Sequence, residues 1–221
     1  MQQIIESMPP ELINTLGFET IGSGAGYTHG TFFGLIGFVL LVIATTSWGS
    51  AAIAGAEESG HLELALAHGV GRGQYAAEST LSILARLVWL GAIATALILV
   101  LNEPAELDLN PGNVIATVAA LTGLAFLSGT VALAIGALTG RRSVATVAGA
   151  GIAVVGYMLN AIANQVSDVE ALRAASPYAW AYQHNPLRDG ADWGGLLLLW
   201  GAGAVLAGLT VVVLRRRDIV G

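Results

Sequence analysis

The sequence predicts an all-α, polytopic helical membrane protein made of a single domain, with about five transmembrane helices. Three observations carry that reading. Charged residues make up 11% of the 221-residue chain and hydrophobic residues 55%, with a mean hydropathy of +0.71; soluble domains carry about 25% charged residues. The apolar residues are gathered into long runs that show no strand-like alternation. Five of those runs reach the roughly 20 residues that a helix needs to cross a hydrocarbon core of about 30 Å. Only helices and closed barrels satisfy their backbone polar groups in lipid, so non-alternating runs of this length are helices.

Residues 1–26 are acidic, contain Pro9-Pro10, and have neither a cationic start nor an apolar core, so they do not read as a signal peptide. Pro10 to Gly17 reads as a short capped helix, with Pro at its start and Gly past its end. The first span is placed near 31–54. The segment 57–72 is amphipathic: Leu62, Ala65, Leu66, Gly69 and Val70 follow i, i+3, i+4, i+7, i+8, which puts one apolar face on a short helix. Ser59 is expected to cap its start, with Glu63 near the first turn, where a negative charge suits the helix dipole. Gly69, Gly71 and Gly73 end it before a second span near 80–101. The third and fourth spans, near 113–138 and 144–165, are separated only by Thr139-Gly140-Arg141-Arg142-Ser143 and form a tight hairpin. Tyr178, Trp180, Tyr182 and Trp193 read as an interfacial aromatic belt. The fifth span lies near 193–214.

All nine basic residues are Arg, and their placement sets an expected orientation. The 55–79 segment, the 139–143 turn and the C-terminal end share one side, with Arg72, Arg141, Arg142 and Arg215 to Arg217. The other side has Arg173 and Arg188 among many acids. The first side is therefore expected to be cytoplasmic, which places the N-terminus outside and the C-terminus inside.

Several chemistries are set aside. Cysteine is absent, so there is no disulfide, thiolate metal site or cysteine nucleophile. The net charge of −6 leaves no electrostatic footprint for nucleic acid. The five expected spans contain no Asp, Glu, Lys or His; Arg86 is their one charged residue, close enough to the cytoplasmic end to snorkel. With no Lys there is no phosphate-binding Gly-x4-Gly-Lys motif, so uphill transport would draw its energy from another polypeptide. Glu57, His61 and His68 could share a helix face, but without a His-Glu-x-x-His pattern they read as a solvated face. His184, Asn185, Asp189 and Asp192 lack an activated nucleophile. Within the spans, Thr45, Thr46, Ser47 and Ser50, and the Gly156, Asn160, Asn164 stripe at i, i+4, i+8, suit helix–helix hydrogen bonding and close packing; lining a substrate path is the other reading of the stripe.

The pattern Glu57-Glu58-x-Gly60-x-Leu62-Glu63-x-x-Leu66-x-x-x-Val70-x-Arg72 resembles the first cytoplasmic loop of type-2 ABC exporter permeases. Ser176-Pro177-Tyr178, then Asn185-Pro186-Leu187-Arg188-Asp189-Gly190-x-Asp192-Trp193, then a helix ending Arg215-Arg216-Arg217-Asp218-Ile219, is similar to the end of the same family, so the resemblance covers roughly residues 8–221. It implies that 57–72 is a coupling helix against a nucleotide-binding subunit. The region 166–192, with Asp168 to Ala175 as a short helix, then resembles the external helices before the last span. The partners implied are an ABC ATPase carrying ATP and Mg, a second permease chain in a homodimer or heterodimer, and the lipid bilayer of the plasma membrane. The chain itself would be no enzyme and hold no cofactor or metal. In that arrangement Leu62, Leu66 and Val70 would dock into the ATPase while Glu57, Glu58 and Arg72 fix the orientation of the helix. Members of the family usually have six spans, so this chain reads as lacking the first. A non-transporting membrane scaffold or assembly factor, and a membrane-embedded enzyme, are the alternatives.

Overall fold

In a computed structural model of the protein, residues 23–165 and 170–217 are described. Among them there is no strand, and five helices are long and apolar enough to cross a membrane. These are α1 (Gly24–Glu58), α3 (Arg72–Asn102), α4 (Pro111–Thr139), α5 (Arg142–Ala163) and α9 (Trp193–Arg216). Short helices lie between them: α2 (His61–Ala67), α6 (Glu170–Ala174), α7 (Pro177–Tyr182) and α8 (Pro186–Asp189). The Pro10–Gly17 helix expected near the N-terminus lies outside the described residues, as do Asp168 and Asp218.

All five expected spans are present, and their ends differ for identifiable reasons. α4 starts at Pro111 because Asn110 caps it, its side chain accepting from the Gly112 amide at 2.8 Å while Pro supplies a preset φ. Asp192 caps α9 in the same way through Gly194 and Gly195, at 3.1 Å each. α1 and α3 run beyond the expected spans, so His29 and Glu78 belong to continuous helices that the hydropathy boundaries had excluded. The 57–72 segment is not one helix. Glu57 and Glu58 form the last turn of α1, Arg72 begins α3, and only His61–Ala67 is helical between them.

α4 is the axis of the bundle. In its most apolar 18-residue window 83% of residues are buried, against no more than 33% in the other four spans. It is apolar around its whole circumference, which suits a helix packed on all sides, here by α1, α3, α5 and α9. Small residues let the neighbours approach closely. Gly49 of α1 lies directly on the Gly129 carbonyl of α4, where a Cβ would overlap backbone. Two hydroxyls on this seam serve their own helices, Thr45 donating to the Leu41 carbonyl at 2.8 Å and Ser50 to the Ser47 carbonyl at 3.2 Å, while the buried Thr46 hydroxyl has no partner among the described residues. The expected interhelical hydrogen bonds from these residues are not made; close packing is.

At the end of the bundle away from α2, α1 widens into a π-helical stretch, His29–Ile36. Two of its carbonyls receive tyrosine hydroxyls from α7. Tyr178 donates to Gly34 at 3.0 Å and Tyr182 to Phe33 at 3.3 Å, both phenols being buried. This corrects the aromatic-belt expectation for that pair: they are struts between α7 and α1. The Trp180 indole is bonded to the Ala174 carbonyl at 2.8 Å, while Trp193, 73% exposed, does stand at the surface. Gly156 packs under the same short helices, its carbonyl accepting from the Ser176 hydroxyl at 2.7 Å. A Cβ there would stand 3.0 Å from the Pro177 ring. The Gly156 stripe is thus covered at its start by the chain's own α7, with Asn160 half-buried and Asn164 exposed beyond it.

Candidate functional site

Three helix ends and the chain's last described residue meet beneath α2. α1 finishes at Glu58, and Gly60 turns the backbone through a left-handed conformation (φ 75°) that a side chain rarely adopts. That turn, not a side-chain cap, starts α2. The Ser59 hydroxyl expected at the cap instead donates back to the Gly55 carbonyl at 2.8 Å and lies 2.7 Å from His61 Nδ1.

The turn aims Leu62 into the protein. It is fully buried, in a cluster with Ile53 of α1, Ala76 of α3, Ala137 of α4 and Leu214 of α9, and Leu66 packs half-buried against the same cluster. Val70 lies past the end of the helix, its amide bonded to the Ala65 carbonyl at 3.3 Å. Of the expected docking face, Leu62 and in part Leu66 therefore belong to the chain's own core, while Val70 lies outside that cluster. A seven-residue helix folded back under the bundle has only one apolar face to bury, and its own bundle takes it. The outward face is His61, Glu63, Leu64, Ala67 and His68, with Leu64 59% exposed.

The charged residues of the segment are also engaged internally. Glu57 receives both Arg217 terminal nitrogens, at 2.7 and 2.9 Å, a bidentate pair with side chains only 15% and 25% exposed. Arg217 also donates to the Ala137 carbonyl at the end of α4, at 3.0 Å, and its own carbonyl accepts from Arg72 at the start of α3, at 2.7 Å. One residue thus ties the ends of α1, α3 and α4 to α9. Glu58 accepts from the Arg142 amide at 2.8 Å and so holds the α4–α5 turn. The sequence had singled out Arg217 as part of a basic run; its partner 160 positions away could not be read from spacing. His68 lies 2.6 Å from the Leu64 carbonyl through Nδ1. With Glu57 committed to Arg217, the Glu57, His61 and His68 set is not assembled, and no metal-ligating cluster occurs among the described residues.

At the opposite end, Asp192 accepts from His184 Nδ1 at 2.7 Å as well as capping α9. Burial alone would raise the Asp192 carboxyl, but the Gly195 and Gly194 amides and the His184 ring outweigh it and hold the pKa below the ordinary 3.8. A depressed folded-state pKa stabilises the fold above the unfolded value, and that contribution is lost as pH falls through the depressed one. The melting temperature in detergent should therefore fall as pH drops below 3.8, and Asp192→Asn should blunt that acid limb while lowering the value at neutral pH. An unchanged acid limb in the variant would deny Asp192 this role.

A family model described as ABC-2 type transporter matches residues 2–188. The chain belongs to that family. The match takes in α1 to α7 and ends within α8, before α9. No curated protein and no solved structure matches the chain. This ABC-2 protein is thus a membrane-embedded permease subunit of an ABC transporter, a transport component and not itself catalytic. Seen as a permease, it has a helix junction between its first two described spans that is locked from within and presents one short face outward.

Proposed function

We propose that the chain is the permease subunit of an ATP-driven exporter in the plasma membrane, working as a dimer of permease chains with two separate ABC ATPase subunits that carry ATP and Mg. The end bearing α2 is cytoplasmic. Arg72, Arg141, Arg142 and Arg215 to Arg217 gather there, while Glu103, Glu106, Asp108, Asp189 and Asp192 lie at the other end. Coupling runs through α2, but by a different division of labour from the expected one. Glu63, Leu64, Ala67 and His68 meet the ATPase, and Leu62 and Leu66 pass the push inward. ATP binding draws the ATPase subunits together and displaces α2. The Glu57–Arg217 clamp makes α1, α3 and α9 follow, which opens a path between the two permease chains.

The observation that supports this reading is the two-sided α2: one face anchored by the fully buried Leu62 in the junction of four spans, the other exposed with a large apolar residue at its centre. The test is co-purification with an ABC ATPase expressed from a neighbouring gene. Leu64→Asp should reduce ATPase capture about tenfold or more, the scale of losing an interface anchor, without changing the melting temperature of the permease. Wild-type permease that captures no ATPase would favour the scaffold reading, and undiminished capture by Leu64→Asp would remove α2 as the contact.

A further inference from the structure

Between α1 and α3, next to the junction, is an open cleft of about 390 Å3 whose wall carries Trp48, Tyr75, Glu78, Ser79, Ser82 and Arg86. The Arg86 guanidinium stands over the Trp48 ring, 5.2 Å from its centroid. The Tyr75 hydroxyl is spent on the Ala52 carbonyl at 3.0 Å, and Glu78 accepts from Gln74 at 2.8 Å. Among the described residues, the Ser79 and Ser82 hydroxyls make no hydrogen bond, and Arg86 has no carboxylate partner.

Depth makes that arrangement informative. Measured back from Asn102 at 1.5 Å per residue, a core of about 30 Å ends near Ser82. Arg86 then lies about one turn inside the core, where an unpaired cation is costly. Helical side chains lean toward the N-terminus of their helix, so the guanidinium leans back toward Ser82 and the edge of the core, with Ser79 one turn further out toward the lipid phosphates. From Arg86 the exposed residues Trp89 and Ile93 continue at i+3 and i+4 spacings, an apolar rail leading out of the cleft to the mid-membrane.

We propose that this cleft binds one phospholipid of the α2-side leaflet, with its phosphodiester on Arg86, Ser82 and Ser79 and its acyl chains along Trp89 and Ile93. Arg86 supplies charge-assisted donors and is held in place by Trp48. Glu78 at the outer rim accepts from a headgroup hydroxyl or amine. The site does not depend on the direction of transport or on the ATPase.

Native mass spectrometry of the intact protein released from detergent tests it, with phosphatidylglycerol, diacylglycerol and inorganic phosphate as probes. One phosphatidylglycerol should be retained, about tenfold more weakly in Arg86→Gln and several-fold more weakly in the Ser79→Ala, Ser82→Ala double variant, with diacylglycerol not retained. Arg86→Lys should fall between wild type and Arg86→Gln, since it keeps the charge and loses the planar fork. Arg86 and Ser82 are exposed, so lipid-free melting temperatures should match wild type. Equal retention by Arg86→Gln, equal retention of diacylglycerol, or displacement of the lipid by millimolar inorganic phosphate would each overturn the proposal.

Discussion

Leu62→Ala is expected to destabilise the permease by about 2–5 kcal/mol, the range for emptying a well-packed leucine site. Leu62 is fully buried among side chains from four spans. α2 has seven residues and no side-chain cap, so little else holds it in place. An isolated helix of that length is not stable in water, and its helicity here rests on the docking of Leu62. Leu64→Ala, two residues away and 59% exposed, should stay within about 0.5 kcal/mol of wild type. Unfolding in mixed micelles would rank the pair, and limited proteolysis around Gly69 to Gly71 should accelerate in Leu62→Ala alone. Equal, small effects of the two substitutions would mean that α2 is not docked and cannot transmit a push.

Arg217→Ala carries the second large effect. It leaves the Glu57 carboxylate, 15% exposed, without its partner and removes a donor from the Ala137 carbonyl. Breaking a fully buried pair from one side costs about 3–5 kcal/mol; the partial exposure of both side chains argues for about 2–3 kcal/mol here. Arg217→Lys should recover only part of it, because an ammonium cannot reproduce the two-pronged contact with Glu57. The double variant Glu57→Gln, Arg217→Ala should be less damaged than the sum of the singles, since the stranded charge is gone; a coupling of about 1–3 kcal/mol is expected. In the assembled transporter, Arg217→Ala should also lower transport per ATP hydrolysed more than it lowers hydrolysis itself. Additive single effects would show that Glu57 and Arg217 act independently.

The lipid-facing fold was legible in the sequence because hydropathy over about 20 residues is a one-dimensional property and the bilayer imposes it locally. Five runs became five helices, and the tight Thr139–Ser143 turn became a hairpin. Hydropathy could not show where polar residues continue a helix past the apolar run. Gln74 and Glu78 therefore fell outside the expected second span although they lie within α3. Nor could it separate the centre of the bundle from its periphery: α4 and α9 are about equally apolar, and only α4 is enclosed.

The junction divides in the same way. From the residues alone came the short amphipathic element after the first described span, the acids preceding it, the arginines gathered on its side of the membrane, and the family to which that order belongs. Which way the element faces was decided only in three dimensions. The period of Leu62, Leu66 and Val70 marks an apolar face without saying whether the partner is another protein or the chain itself, and the left-handed turn at Gly60 sends Leu62 inward. Likewise Glu57 and Arg217 are charged groups 160 residues apart until α1 and α9 pack beside α4 and bring them to 2.7 Å. Periodicity is fixed by local backbone geometry, and so it is written in the sequence. The partner of a face or of a charge depends on chain segments distant in sequence, and packing alone selects it.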